Sequence, residues 1–97
     1  MKAYSIFDVH AIHDEQGMSS YRQAVVATVE RFGGRYVAIG GPLELIEGNE
    51  RPTFPVIVEF PDMTAARNWY DSPDYAGLKE LRMRSADTHA FLLQAII

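Results

Sequence analysis

The sequence has no cysteine, so neither a disulfide, a thiolate nucleophile nor a sulfur-ligated metal is available, and a reducing compartment suits it. It also lacks any run near the roughly 18 consecutive apolar residues of a membrane span. Lys2 is followed by Tyr4, Ser5, Asp8 and His10 rather than an unbroken apolar stretch, so no secretory leader is expected. A soluble, cytoplasmic protein is the expectation. Positive charge is not concentrated either. Nine Lys and Arg are scattered against thirteen Asp and Glu, for a net charge of -4, which argues against a nucleic-acid or anionic-membrane partner. What is present is globular in kind: 47% hydrophobic and 23% charged residues in a chain of 97. That length suits one domain over residues 1–97 and is too short for two.

Residues 3–12 are rich in β-branched and aromatic types without Gly or Pro, which predicts a strand. Alternation puts Ala3, Ser5, Phe7, Val9 and Ala11 on one face and Tyr4, Ile6, Asp8, His10 and Ile12 on the other. After a polar loop at 13–18, Ser19 or Ser20 is expected to cap a helix to Phe32, with Tyr21, Val25, Thr28 and Val29 on its apolar stripe. Gly33-Gly34 ends it. Residues 35–39 predict a second strand, interrupted at Gly40-Gly41-Pro42 and resumed over 43–46. A turn at 47–52 returns a third strand over 54–60. Asp62 or Thr64 caps a short helix, and Ser72-Pro73 restarts it, with the proline at the first helical position. The block after Thr88 reads as a buried fourth strand.

The order β-α-β-β-α-β predicts an α+β, ferredoxin-like sandwich with a four-stranded antiparallel sheet and helices on one face. Phe91 and Leu93 lie on one face of the last strand and Leu92 and Ile96 on the other. Helices cover only one of these faces. A second copy packed sheet to sheet, giving a homodimer, is the expected cover for the other.

The stretch Glu59-Phe60-Pro61, then Ala66, Trp69-Tyr70-Asp71-Ser72-Pro73-Asp74-Tyr75, Leu78 and Arg82, is similar to the signature of the domain-of-unknown-function family numbered thirteen-thirty. Gly33-Gly34-Arg35-Tyr36 and Glu47-Gly48 add to the resemblance, which covers nearly the whole chain. It implies the dimeric α/β barrel superfamily, whose members include monooxygenases, isomerases, dehalogenases and haem-handling enzymes. That family has no established activity, so the resemblance implies fold and dimer more than chemistry.

Read as chemistry, Asp8-Val9-His10-Ala11-Ile12-His13-Asp14 gathers two imidazoles and two carboxylates, but strand alternation separates Asp8 and His10 from His13, so no metal site is expected. Asp8, His10 and Glu59 are the catalytic candidates. The first and third strands of this fold are neighbours, and an imidazole beside carboxylates can serve as general base near neutral pH. Tyr21, Trp69, Tyr75 and Arg82 are the ligand-binding candidates, aromatic area with polar handles. Helical periodicity equally places Trp69 and Tyr75 in a plain core. Arg82, on an otherwise apolar stripe, requires a carboxylate from Glu47, from Glu59 or from a ligand. No Walker loop, dinucleotide fingerprint or GxSxG context is present, so no cofactor is implied. Two readings stay open: an enzyme abstracting a proton from a small carboxylated or aromatic metabolite, isomerase-like or cofactor-independent monooxygenase-like, and a non-catalytic small-molecule binding or accessory module.

Overall fold

In the computed structural model, which describes residues 1–97, β1 (Ala3–Ile12) is followed by α1 (Glu15–Arg31), β2 (Arg35–Ile39) and β3 (Pro55–Phe60). Then come α2 (Met63–Tyr70), α3 (Pro73–Ser85) and β4 (Ala86–Gln94). The strands form one antiparallel sheet in the order β2-β3-β1-β4. This is the ferredoxin-like α+β arrangement that the element order predicts. In register, Ala3, Ser5 and Phe7 of β1 stand beside Phe60, Val58 and Val56 of β3. That face meets Met18, Tyr21, Val25 and Val29 of α1, Trp69 of α2 and Tyr75 of α3 in one hydrophobic cluster. No helix is long and apolar enough to cross a membrane.

Three local expectations need correction. The first helix starts at Glu15, not after Ser19. Asp14 is its cap, accepting from the Gly17 amide at 3.0 Å. Gly17 looks like a loop residue, yet it serves close approach: a Cβ there would strike Ser85 Oγ at the end of α3. The Ser85 carbonyl in turn accepts from the amides of His13 and Asp14 at 2.7 and 3.1 Å.

The segment 43–46 is not a strand. Gly40 and Gly41 take positive φ, +55° and +102°, and turn the chain away from the sheet. β3 begins only at Pro55, so it offers the segment no ladder. Phe54, expected inside that strand, sits instead against Gly40, where any Cβ would displace its ring.

The last strand begins at Ala86, directly after α3, and it is not buried. It occupies a sheet edge, and Phe91 and Leu93 are 57% and 48% exposed on the face away from the helices. Both helix restarts follow the reading from sequence: Asp62 caps α2 through the Ala65 amide, and Ser72 caps α3 through the Tyr75 amide with Pro73 behind it.

Candidate functional site

Between α1 and the sheet lies a cavity of about 510 Å³, with 14 of its 18 lining residues hydrophobic. Phe7, Val9, Val56 and Val58 form its floor, and Met18 and Val25 of α1 its roof. His10, Thr53 and Phe54, all exposed, mark its open end. Small branched side chains at the β1 and β3 floor positions leave this space, whereas Trp69 and Tyr75 fill the layer behind it. Polar tips are few: Tyr21 and Arg22 enter the lining from α1, Tyr36 from β2 and Arg82 from α3, and of the two guanidinium groups Arg22 is already paired with Glu15 at 2.9 Å.

Arg82 is 4% exposed. Its Nε donates to Tyr75 Oη at 3.3 Å, and its guanidinium carbon stands 4.9 Å from the Phe7 ring centre. Nη2 is buried with no partner at all. None of the chain's ion pairs includes it. The carboxylate that its position on the apolar stripe requires is therefore supplied by neither Glu47 nor Glu59. Burial opposes the Arg82 charge, but the adjoining Tyr75 oxygen, followed by those of Tyr21 and Tyr70, raises its pKa above the ordinary arginine value.

Tyr75 Oη also lies 2.8 Å from Tyr21 Oη. Burial, with Tyr75 as neighbour, pushes the Tyr21 phenol far above its usual range. Burial likewise moves Tyr36 up to about 12. Phenols so placed stay protonated, and so remain available as donors, throughout the neutral range. Trp69 is 1% exposed, and its Nε1 donates to Thr28 Oγ1 at 3.0 Å. It belongs to the core and to the cavity wall at once.

The structure brings Asp8 and His10 together and leaves Glu59 apart. His10 Nε2 is 3.5 Å from Asp8 Oδ2, and its Nδ1 is 3.2 Å from Thr53 Oγ1. Glu59 pairs across the ladder with Tyr4, while Asp8 pairs with Pro55, four positions or roughly 13 Å along the strand. Glu59 binds Lys2 at 3.1 Å and Arg35 at 3.4 Å, and the Lys2 bond chiefly holds its carboxyl below the usual range. Asp8 is occupied too, accepting from the Thr53 and Phe54 amides at 2.9 and 2.7 Å. It fastens the open end of the cavity.

His10 is the extra residue of a bulge between Val9 and Ala11. Strict alternation would aim it only at the free sheet face, where its ring does meet His89 with centroids 4.5 Å apart. The bulge also gives it a place in the cavity lining. His13 is separate, paired with Asp87 at 3.0 Å, and no group of three metal-ligating side chains forms. Tyr36, Thr53 and Phe54 were not among the sequence candidates. Tyr36 had a signal in the alternation of β2, and Phe54 in its spacing with Val56 and Val58, whereas Thr53 reaches the cavity from a turn with no periodicity to reveal it.

Among solved structures, the fold is shared with a protein of unknown function from Rhodopseudomonas palustris at 18% identity and a TM-score of 0.76, covering 99% of this chain and 83% of that one. A dimeric ferredoxin-like protein of unknown function from Thermobifida fusca YX matches at 18% identity and a TM-score of 0.66, over 98% and 92% of the two chains. SnoaB, a cofactor-independent oxygenase from Streptomyces nogalater, matches at 18% identity and 0.61, over 97% and 90%. No curated protein matches the sequence. The model of the family described as domain of unknown function (DUF1330) matches residues 2–96, and the chain belongs to that family.

Proposed function

We propose that residues 1–97 form one domain of a homodimer whose cavity between α1 and the sheet binds a small aromatic or carboxylated metabolite through Arg82. The observation that carries this reading is a buried guanidinium in a largely apolar cavity with no anion of its own chain beside it. Taking a charge out of water without a counter-ion costs several kcal/mol. A ligand carboxylate offsets that cost with a two-oxygen acceptor suited to the guanidinium fork.

The catalytic form of the reading is proton abstraction, isomerase-like or of the cofactor-independent monooxygenase kind, with His10 as base, because it is the one imidazole in the lining. SnoaB is an oxygenase of that description on a similar fold, which supports this form by analogy. A binding or accessory module would use the same cavity without His10.

The test is thermal shift of the purified protein against a panel of aromatic and aliphatic carboxylates, since a ligand bound to the native state raises apparent stability. At least one apolar carboxylate should raise the melting temperature of the wild type. Arg82→Met should abolish that rise while still melting cooperatively without ligand, because the methionine chain keeps the apolar packing of the arginine stem. A wild type indifferent to every carboxylate overturns the reading. If binding survives in His10→Ala and turnover of the bound compound is lost, the catalytic form holds; if the wild type turns nothing over, the module does.

A further inference from the structure

Burial leaves the hydroxyl protons of Tyr21 and Tyr75 one satisfactory arrangement. A guanidinium only donates, so Tyr75 Oη accepts from Arg82 Nε. Tyr75 is fully buried, and the other atom its hydroxyl meets is Tyr21 Oη. If Tyr21 donated across that 2.8 Å contact, the Tyr75 proton would be a buried donor without an acceptor, which native interiors avoid. Tyr75 therefore donates to Tyr21. The Tyr21 proton then has no acceptor on this chain, and Tyr21 lines the cavity.

We infer that Tyr21 is the ligand-facing end of a one-way hydrogen-bond chain, Arg82 to Tyr75 to Tyr21, which offers its last proton to a ligand oxygen that carries or develops negative charge. Phenolates, enolates and carboxylates share that chemistry. The inference rests on the cavity being a ligand site and specifies the polar atom that the site recognises. Each donor in such a chain polarises the next, and a hydrogen bond to an ionised acceptor is roughly twice as strong as a neutral one. The apolar lining keeps that interaction from being screened. Burial holds the proton on Tyr21 through the neutral range.

The direction of the chain also limits its chemistry. It ends in a guanidinium that has no room for another proton, so it cannot serve as a base. In a proton abstraction the C–H bond would break toward a base elsewhere, with His10 the imidazole at hand. The electron pair would move to the ligand oxygen, and Tyr21 would stabilise that oxygen without taking the proton.

The test uses 4-nitrophenol, whose neutral and ionised forms absorb at different wavelengths. Wild type should bind the phenolate in preference, so that the bound dye ionises at lower pH than the free dye. Tyr21→Phe should reduce that preference by roughly tenfold or more. Tyr75→Phe should reduce it as well, although Tyr75 is not part of the lining, and this variant decides alone if Tyr21→Phe does not fold. A merely structural role for these rings predicts no such spectroscopic change, because phenylalanine preserves their packing. An unchanged phenolate preference in the variants, or a wild type that prefers the neutral phenol, overturns the inference. A parallel thermal shift with 1-naphthoate separates the two readings. If naphthoate is held in an Arg82-dependent way while the dye ignores Tyr21 and Tyr75, only the chain falls. If the wild type binds neither compound, the ligand site falls with it.

Discussion

Trp69 joins the core to the site. Its ring centre lies 4.2 Å from that of Tyr75, 5.6 Å from Phe60 and 6.0 Å from Phe7. Its N–H is spent on Thr28, whose hydroxyl in turn donates to the Val25 carbonyl at 2.7 Å. The indole thus ties α2 to α1 and sets the depth of the cavity behind Phe7. Trp69→Ala is expected to cost roughly 3 to 5 kcal/mol, as truncations of large buried aromatics do. Denaturant melts measure this directly, and a loss below about 1 kcal/mol would mean that the side chain contributes wall rather than core. At this scale the sequence was informative about Trp69 and Tyr75, because helical spacing places both on an inward stripe. It was informative about Arg82 only as a conflict, a charge on an apolar stripe. The resolution of that conflict, two phenols and an unpartnered nitrogen, depends on contacts 7 and 61 residues away in sequence, which periodicity does not encode.

At the scale of elements, legibility followed the chemistry of the boundaries. Ser72-Pro73 and Asp62 are local signals acting on amides three residues on, and both caps form as read. Gly17 and Gly40 are glycines for a different reason, the close approach of Ser85 and of Phe54. Composition alone makes the first look like a loop, and the Gly40-Gly41-Pro42 run marks a break without indicating the Phe54 ring that packs there. β1 and β3 are neighbours, as the expected grouping of Glu59 with Asp8 requires. Register, set by long-range pairing, separates them. Asp8 then emerges as a clamp on the segment that enters β3. Asp8→Ala should leave the amides of Thr53 and Phe54 without their acceptor and loosen the open end of the cavity, with little effect on global stability because these bonds lie at the surface. Hydrogen exchange at those two amides is expected to speed up by about tenfold, the equivalent of one modest hydrogen bond. Unchanged exchange would show that the β1–β3 ladder, including the Val9 amide bond to the Phe54 carbonyl at 3.1 Å, holds the segment without Asp8.

For the whole molecule, the surface without cover is the sheet face away from the helices. There the register sets Ile6 between Ile57 and Phe91, and Tyr4 between Glu59 and Leu93. Apolar side chains therefore run across the three strands β3, β1 and β4, bordered by the charges of Lys2, Arg35 and Glu59. A lone copy leaves Phe91 and Leu93 about half open to water, a contiguous apolar area of a kind that isolated soluble chains seldom keep. The proposed homodimer places this face against its own copy about a two-fold axis, so that each protomer offers the same patch. The chain should then sediment as a dimer at micromolar concentration, burying on the order of 1,200 to 2,000 Å² or more in total. Phe91→Glu provides the discriminating variant. Its side chain makes no part of the buried cluster, so the fold should persist by circular dichroism while the sedimentation coefficient falls to that of a monomer, since a carboxylate at the centre of the interface would be buried twice over without a partner. A wild type that stays monomeric across the micromolar range, or a Phe91→Glu chain that remains as dimeric as its parent, would place the contact between copies elsewhere or remove it altogether.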